Sequence, residues 1–176
     1  MTNRRQKRRR QRRRELRKSN NTAPDAANLY GVAVGLLARR EHSLLELRQK
    51  LHLRQFNSSD IEPVLQLLVE KNLQSEARFC EVFVRSRAER GYGPLRIRNE
   101  LQQRGVAAEL IGEQLAVYEF EWDEHLQRLL EKRLSHVIQL DRKGLAKQQR
   151  YLLGRGFSAE QIRKVLKNHW SEEKGR

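Results

Sequence analysis

The chain has 176 residues, 38% of them hydrophobic and 34% charged, and a formal net charge of +15. That length suits one medium domain or a few small modules, and the basic balance points to nucleic acid or another polyanion as partner. A single cysteine, Cys80, excludes an intramolecular disulfide and a multi-cysteine metal site.

Residues 1–18, MTNRRQKRRRQRRRELRK, hold eleven of the 37 basic residues and one of the 22 acidic ones, so most of the excess charge sits in a low-complexity tail. Residues 1–22 are assigned no fixed structure, because a polar run with almost no apolar residues has no core to build. The start of the chain has charge but no apolar stretch of the kind a secretory signal needs. No window approaches the roughly 18 apolar residues of a membrane span. A cytoplasmic protein is the expectation.

From Pro24 onward the chain repeats itself. SLLELRQKLHLRQFNSSDIEPVL begins at Ser43, GPLRIRNELQQRGVAAELIGEQL at Gly93 and GLAKQQRYLLGRGFSAEQIRKVL at Gly144. Apolar positions align at Leu51, Leu101 and Leu152; at Phe56, Val106 and Phe157; at Ile61, Ile111 and Ile162; and at Leu65, Leu115 and Leu166. An arginine also recurs, at Arg54, Arg104 and Arg155. Self-similarity at a period near 50 residues indicates stacked helical units. The expected fold is all-α: three tandem three-helix repeats forming an elongated, curved solenoid. A basic tail (1–22) precedes repeats at 23–74, 75–120 and 121–172.

In the first repeat helices are predicted over 25–40, 44–54 and 58–72. Ser43 and Glu46 have capping-box spacing, and Pro63 is expected to kink the third helix or delay its start. In the second repeat the helices are 76–90, 94–104 and 107–118. The first carries Cys80 in RFCEVFV, read as an inert core thiol. Gly91 is placed to end it in the left-handed conformation, and Gly93 and Pro94 to begin the next. In the third repeat the helices are 122–139, 145–155 and 159–170, with Gly144 as the cap. Phe120 and Trp122 of YEFEW are read as packing residues at the junction of repeats two and three. Gly105 and Gly156, each with a leucine four residues before and an apolar residue after, have the spacing of a Schellman ending. The first repeat has Gln55 in that place, which predicts a costlier ending.

Chemistry is sparse. The five histidines are scattered, and Glu121 with His125 at i,i+4 has no second pair to complete a metal site. Asp123 and Glu124 are adjacent and do not face each other as a catalytic dyad would. No phosphate-cradling glycine loop, G-x-S-x-G or Cys/His nucleophile pair is present. A non-enzyme without cofactor or metal is expected.

The basic residues of the body are the candidate binding residues. Arg85, Arg87, Arg90, Arg96, Arg98 and Arg104 cluster around the first two helices of the second repeat. Arg142, Lys143, Lys147, Arg150, Arg155, Arg163, Lys164 and Lys167 crowd the third, where no acid falls between 142 and 157. Some are expected to pair with Glu89, Glu100 and Glu160. The helix–glycine–helix units also resemble a DNA-reading helix-turn-helix. However, the helices that would enter the groove carry Glu62, Glu70, Glu109 and Glu113, which phosphate repels, so sequence-specific reading is the weaker idea.

The tandem pattern, with ARREHSLLELRQKL, RFCEVFVRSRAERGYGPLRIRNELQQRGV and RYLLGRGFSAEQIRKVL, resembles the RecX family of bacterial regulatory proteins over about residues 28–170. The middle stretch is the most specific part. The family's acidic pair before Arg-Phe corresponds here to Ser75 and Glu76, and its basic-Gly pair in the first repeat to Arg54 and Gln55. The arginine-rich tail is not shared. The resemblance implies a protein of DNA recombination, repair and the SOS response. Such a protein binds RecA and the RecA–DNA filament and restrains ATP hydrolysis, strand exchange and co-protease activity. It also implies contact with single- and double-stranded DNA, by what is expected to be a monomer away from membranes. The alternative from the residues alone is a general nucleic-acid-binding helical protein without a RecA target.

Overall fold

The computed structural model describes residues 26–119, 121–134 and 141–173. The arginine-rich tail and Phe120 lie outside the described residues. Among those described there are nine helices and no strand: α1 (Ala26–Leu37), α2 (Leu44–His52), α3 (Ser58–Glu70), α4 (Glu76–Glu89), α5 (Pro94–Gln102), α6 (Ala108–Ala116), α7 (Trp122–Leu134), α8 (Arg142–Arg155) and α9 (Ala159–Glu173). This is an all-α repeat fold of three helices per repeat. No described helix is long and apolar enough to cross a membrane.

All twelve apolar residues that align between the repeats are buried, none more than 5% exposed. They recur at i,i+4 along α3, α6 and α9, and at the end of each second helix with the apolar residue beyond it. The chain divides after Gln74 into two compact units. The first contains one repeat and closes its own core from Leu29, Leu36, Leu47, Leu51, Phe56, Ile61, Leu65 and Leu68. In the second unit a single core runs from Phe79 through Leu101, Trp122, Leu130 and Leu152 to Leu166, so repeats two and three share it. Trp122 is buried there, and its Nε1–H donates to Leu115 O at 3.3 Å. Cys80 is fully buried, and burial pushes its thiol pKa up to about 11, so it stays protonated and inert.

The helix endings follow the sequence closely. Gly91, Gly105 and Gly156 take φ of 74°, 76° and 91°, and Gln55 is forced to 66°. In the second repeat Val106 N–H donates to Leu101 O and Gly105 N–H to Gln102 O; Phe157 and Gly156 repeat this with Leu152 and Leu153. These are the paired bonds of a Schellman ending. Gln55 and Phe56 make the same two bonds with a non-glycine residue in the left-handed region. Asn72 (φ 53°) ends α3 in the same way, an ending not anticipated from sequence.

Three expectations need correction. The cap of α8 is Asp141, not Gly144. The Asp141 carboxylate accepts from Gly144 N–H at 2.7 Å, so the helix starts at Arg142, because an aspartate oxygen satisfies an orphan N–H that glycine cannot. Pro63 does not delay α3, which begins at Ser58. The ring lies on the exposed face, where water can reach the one carbonyl that loses its N–H partner. The sequence pattern predicts Phe79, Val82, Phe83 and Ser86 on one side of α4, but Val82 is 38% exposed whereas Phe79 is buried.

Candidate interaction surface

The basic residues singled out from sequence divide into two groups. The first gathers where α5 meets the end of α8. Gly93 N–H donates to Arg155 O at 2.8 Å and Leu95 N–H to Gly156 O at 3.0 Å. Leu95 N–H is one of the donors that a helix start leaves without an intrahelical acceptor. The backbones approach so closely that a Cβ on Gly93 would lie 2.5 Å from Gly156 C and O. One on Gly156 would lie 2.3 Å from Arg96 Cβ and 2.5 Å from Arg96 N. These two glycines therefore do more than punctuate helices; they allow repeats two and three to touch backbone to backbone.

Around this contact the arginines lie over aromatic rings. Tyr92 has Arg96, Arg155 and Arg87 at 4.5, 4.8 and 5.4 Å from its centroid. Phe83 has Arg104 and Arg87 at 4.6 and 5.0 Å, and Tyr151 has Arg133 and Arg155 at 3.7 and 5.0 Å. Each such contact contributes roughly 0.5–1 kcal/mol when exposed, and it orients the guanidinium plane. Several of these arginines also brace the fold. Arg155 Nη1 donates to Arg90 O, Arg96 Nη1 to Gly154 O, and Arg104 Nη1 to Glu100 O. The recurring arginine is therefore a helix-end cap. Arg54 and Arg104 serve the carbonyl four residues back, and Arg155 reaches across the junction instead.

One acid, Glu100, answers this group. Its Oε1 accepts from Arg96 Nε at 3.0 Å, and its Oε2 lies 2.8 Å from Arg87 Nη2. The Arg87 contact is an ion pair by distance without the alignment of a hydrogen bond.

The second group faces water. Arg142, Lys143, Lys147, Arg150 and Arg163 are exposed and Arg98 is half-buried, and none has an ion-pair partner among the described residues. Lys143, Lys147 and Arg150 fall at i,i+4,i+7 and share one face of α8. The Arg90 side chain is exposed too, and Arg85 makes only a 4.0 Å contact with Glu81. Lys164 pairs with Asp123 instead of Glu160, and Lys167 is engaged within the protein. Glu89 takes no salt bridge among those described.

The first repeat treats the matching positions differently. Arg48 makes two hydrogen bonds to Glu62, at 2.6 and 2.8 Å, joining α2 to α3. The Arg48 guanidinium holds the Glu62 carboxyl below the usual range. The aligned pairs are Arg98 and Gly112 in the second repeat and Gln149 and Arg163 in the third, so the compensating acid is lost in both.

No group of described residues could hold a metal ion. His125 packs on Trp122 with ring centroids 5.9 Å apart, and its Nε2 lies 3.7 Å from Glu121. Burial, then Arg128, lowers its pKa, which keeps it neutral. His136 lies outside the described residues.

Glu100 pairs with the basic residues as expected, whereas Arg133 and the aromatic rings were missed as members of the surface. A signal existed: Phe83/Arg87 and Tyr151/Arg155 are i,i+4 pairs within helices, a spacing that brings side chains together on a helix face, and Tyr92 stands four residues before Arg96 just ahead of α5.

Comparison with known proteins covers most of the described chain. Family models of the first, second and third three-helix domains of RecX match residues 30–68, 75–115 and 121–166. A regulatory protein RecX from Halorhodospira halophila is 47% identical over 131 residues, covering 74% of this chain and 81% of the relative. One from Pseudomonas entomophila is 42% identical over 134 residues, covering 76% and 86%. The crystal structure of RecX from Lactobacillus salivarius superposes with a TM-score of 0.69 at 23% identity, covering 84% of this chain and 97% of that one, a likeness of fold.

Proposed function

Because this chain belongs to the RecX family of regulatory proteins, we propose that it binds the RecA recombinase and its nucleoprotein filament. Binding restrains ATP hydrolysis, strand exchange and co-protease activity. The protein acts by occupancy, as a monomer, without catalysing a reaction of its own. Its relatives bear the name regulatory protein, which fits a role exerted on another protein's activity.

The observation that carries this reading is the uncompensated basic surface of repeats two and three. Lys143, Lys147 and Arg150 line one face of α8; the charge that Glu62 cancels in the first repeat is left uncancelled at Arg98 in the second, and the third carries Arg163 where the first has the acid. A filament presents DNA phosphates and protein surface together, at a regular spacing. Several weak contacts made at once by one rigid body then multiply into tight binding. In this reading the three-repeat body supplies the regulation, and the basic tail, residues 1–18, adds sequence-independent attraction to single- and double-stranded DNA.

The test is RecA ATP hydrolysis on single-stranded DNA, titrated with the full chain. Inhibition that persists when free DNA is added in excess supports a filament target. Inhibition that free DNA abolishes identifies a general nucleic-acid-binding protein that acts by sequestering the strand.

A further inference from the structure

Glu100 is out of place in the repeat pattern. At its aligned positions the first repeat has Lys50 and the third Tyr151, so the fold of a repeat does not need a carboxylate there. Nor does α5 gain much helix stability from it. Arg96 precedes Glu100 by four residues, the less favourable order for an i,i+4 pair. Yet Glu100 is largely buried, 17% exposed in its side chain, between Arg96 (44%) and Arg87 (23%). It is the one acid among guanidiniums that Tyr92 and Phe83 hold in place.

We propose that Glu100 is a built-in competitor for DNA phosphate. Its carboxylate occupies a seat, formed by Arg87 and Arg96 beside Tyr92, that otherwise takes one phosphodiester of a nucleic-acid backbone. This rests on the reading that the basic surface of repeats two and three meets DNA, and it names the residue that limits that contact. A carboxylate and a phosphate make the same charge-assisted contacts with arginine, so they compete for one place. Arg96 shares an aligned hydrogen bond with Glu100, whereas Arg87 is held by charge alone, so an incoming anion has one firm bond to displace. With the rings already engaged by guanidiniums, the surface offers N–H donors in preference to bare aromatic faces, which favours backbone over bases. Phosphates also recur along a strand. The seat is followed in the third repeat by Arg155, which shares Tyr92, and by the exposed face of α8, so a repeating anion can use what a single carboxylate cannot. The competitor keeps naked-DNA affinity low, leaving binding to depend on a target that supplies further contacts.

The experiment measures the Kd for a fluorescent single-stranded oligonucleotide, by anisotropy over a salt series, for the full-length chain. Glu100→Gln is compared with Glu113→Gln, which changes net charge equally on the exposed side of α6. Glu100→Gln is expected to lower Kd by about 3- to 10-fold and to steepen the log–log salt slope by about 0.7, one phosphate contact on a single strand. Glu113→Gln should shift Kd less than about twofold, with the slope unchanged. Equal shifts from the two variants overturn the proposal, as does binding that is unchanged or weaker in Glu100→Gln. If Glu100→Gln leaves DNA binding as Glu113→Gln does but moves the midpoint of RecA inhibition, the seat takes a protein carboxylate and the phosphate assignment falls. Should Glu100→Gln lose its helical signal, Arg96→Gln against Arg128→Gln decides. Arg96→Gln is expected to weaken DNA binding at least threefold more, and equal losses overturn the proposal. Loss of RecA inhibition with these DNA results intact would sink the filament reading alone.

Discussion

The first repeat and the joined second and third repeats are built from one pattern and come to different ends. The first closes a core of its own, pairs Arg48 with Glu62 across two helices, and tolerates a glutamine at φ 66° where its neighbours have glycine. The other two share one core, exchange backbone hydrogen bonds through Gly93 and Gly156, and leave an exposed basic face, Lys143, Lys147 and Arg150, without an ion-pair partner among the described residues. Burial is common to all three; charge compensation and self-sufficiency are not. A few positions outside the core decide whether a repeat is a closed structural module or half of a charged working surface.

The largest expected effect breaks the junction. Gly156→Val places a β-branched residue at φ 91° and drives its Cβ into the Arg96 backbone. With roughly 1–2 kcal/mol for the conformation and about 1 for each of two hydrogen bonds, the second unit should lose about 3 kcal/mol or more. Hydrogen exchange read by segment should show α4–α9 deprotected while α1–α3 keep their protection. Equal loss in α1–α3 would mean that the chain unfolds as one body and would undo the comparison.

The helix endings sharpen it next. Gly105→Val should destabilise the second unit by at least ~1 kcal/mol in thermal or urea melting, since Val fits the left-handed region poorly. Gln55→Gly should move the first repeat the other way, by up to about 1 kcal/mol, as the strain of a non-glycine residue is relieved. A Val tolerated at 105 without loss would remove the Schellman account.

Smaller still is the ion pair. Arg48→Met should cost the first repeat about 0.2–1 kcal/mol, the range of exposed pairs, and the loss should shrink in high salt. The least effect is one of pH. Burial lowers the His42 pKa below its ordinary 6.5; the hydrogen bond with Arg40 O works against this, the Arg40 and Lys50 charges add to it, and Glu46 favours the charged form. The unfolded chain therefore takes up the proton first as pH falls. The first repeat should hold full stability above about pH 6.5 and lose it progressively below. His42→Gln should flatten that slope in α1–α3 and leave α4–α9 unaffected. An unchanged slope would show that His42 is not its source.

Much of the architecture was legible from a single sequence because burial is periodic. All twelve aligned apolar residues reached the core, and the glycine-ended helices closed as their spacing foretold. What escaped notice depends on partners far apart in the chain. Nothing near Gly93 announces that Gly156, 63 residues later, needs it to lack a side chain. Nor does Arg155 reveal that its guanidinium reaches Arg90 O. The start of α8 was misplaced because the repeat alignment favoured Gly144, whereas capping is decided locally by the Asp141 carboxylate. For the candidate surface, the sequence showed which residues are basic. Only the structure separated those that brace the junction, such as Arg96 and Arg155, from those that face water, such as Lys143, Lys147 and Arg150.

That separation fixes the choice of variants for the central claim, that the body of repeats two and three, and not the tail, carries the regulation. Two proteins are compared in RecA ATP hydrolysis on single-stranded DNA after their helicity is matched to the parent. One lacks residues 1–18. The other has Lys143, Lys147 and Arg150 changed to Glu, which reverses one exposed face of α8 without touching the junction. Reversal converts attraction to phosphate into repulsion, a larger change than neutralisation. The account predicts that the shortened protein still inhibits, at a somewhat higher concentration, while the reversed protein loses inhibition with its tail intact. A reversed protein that inhibits normally beside a tail deletion that does not would contradict it.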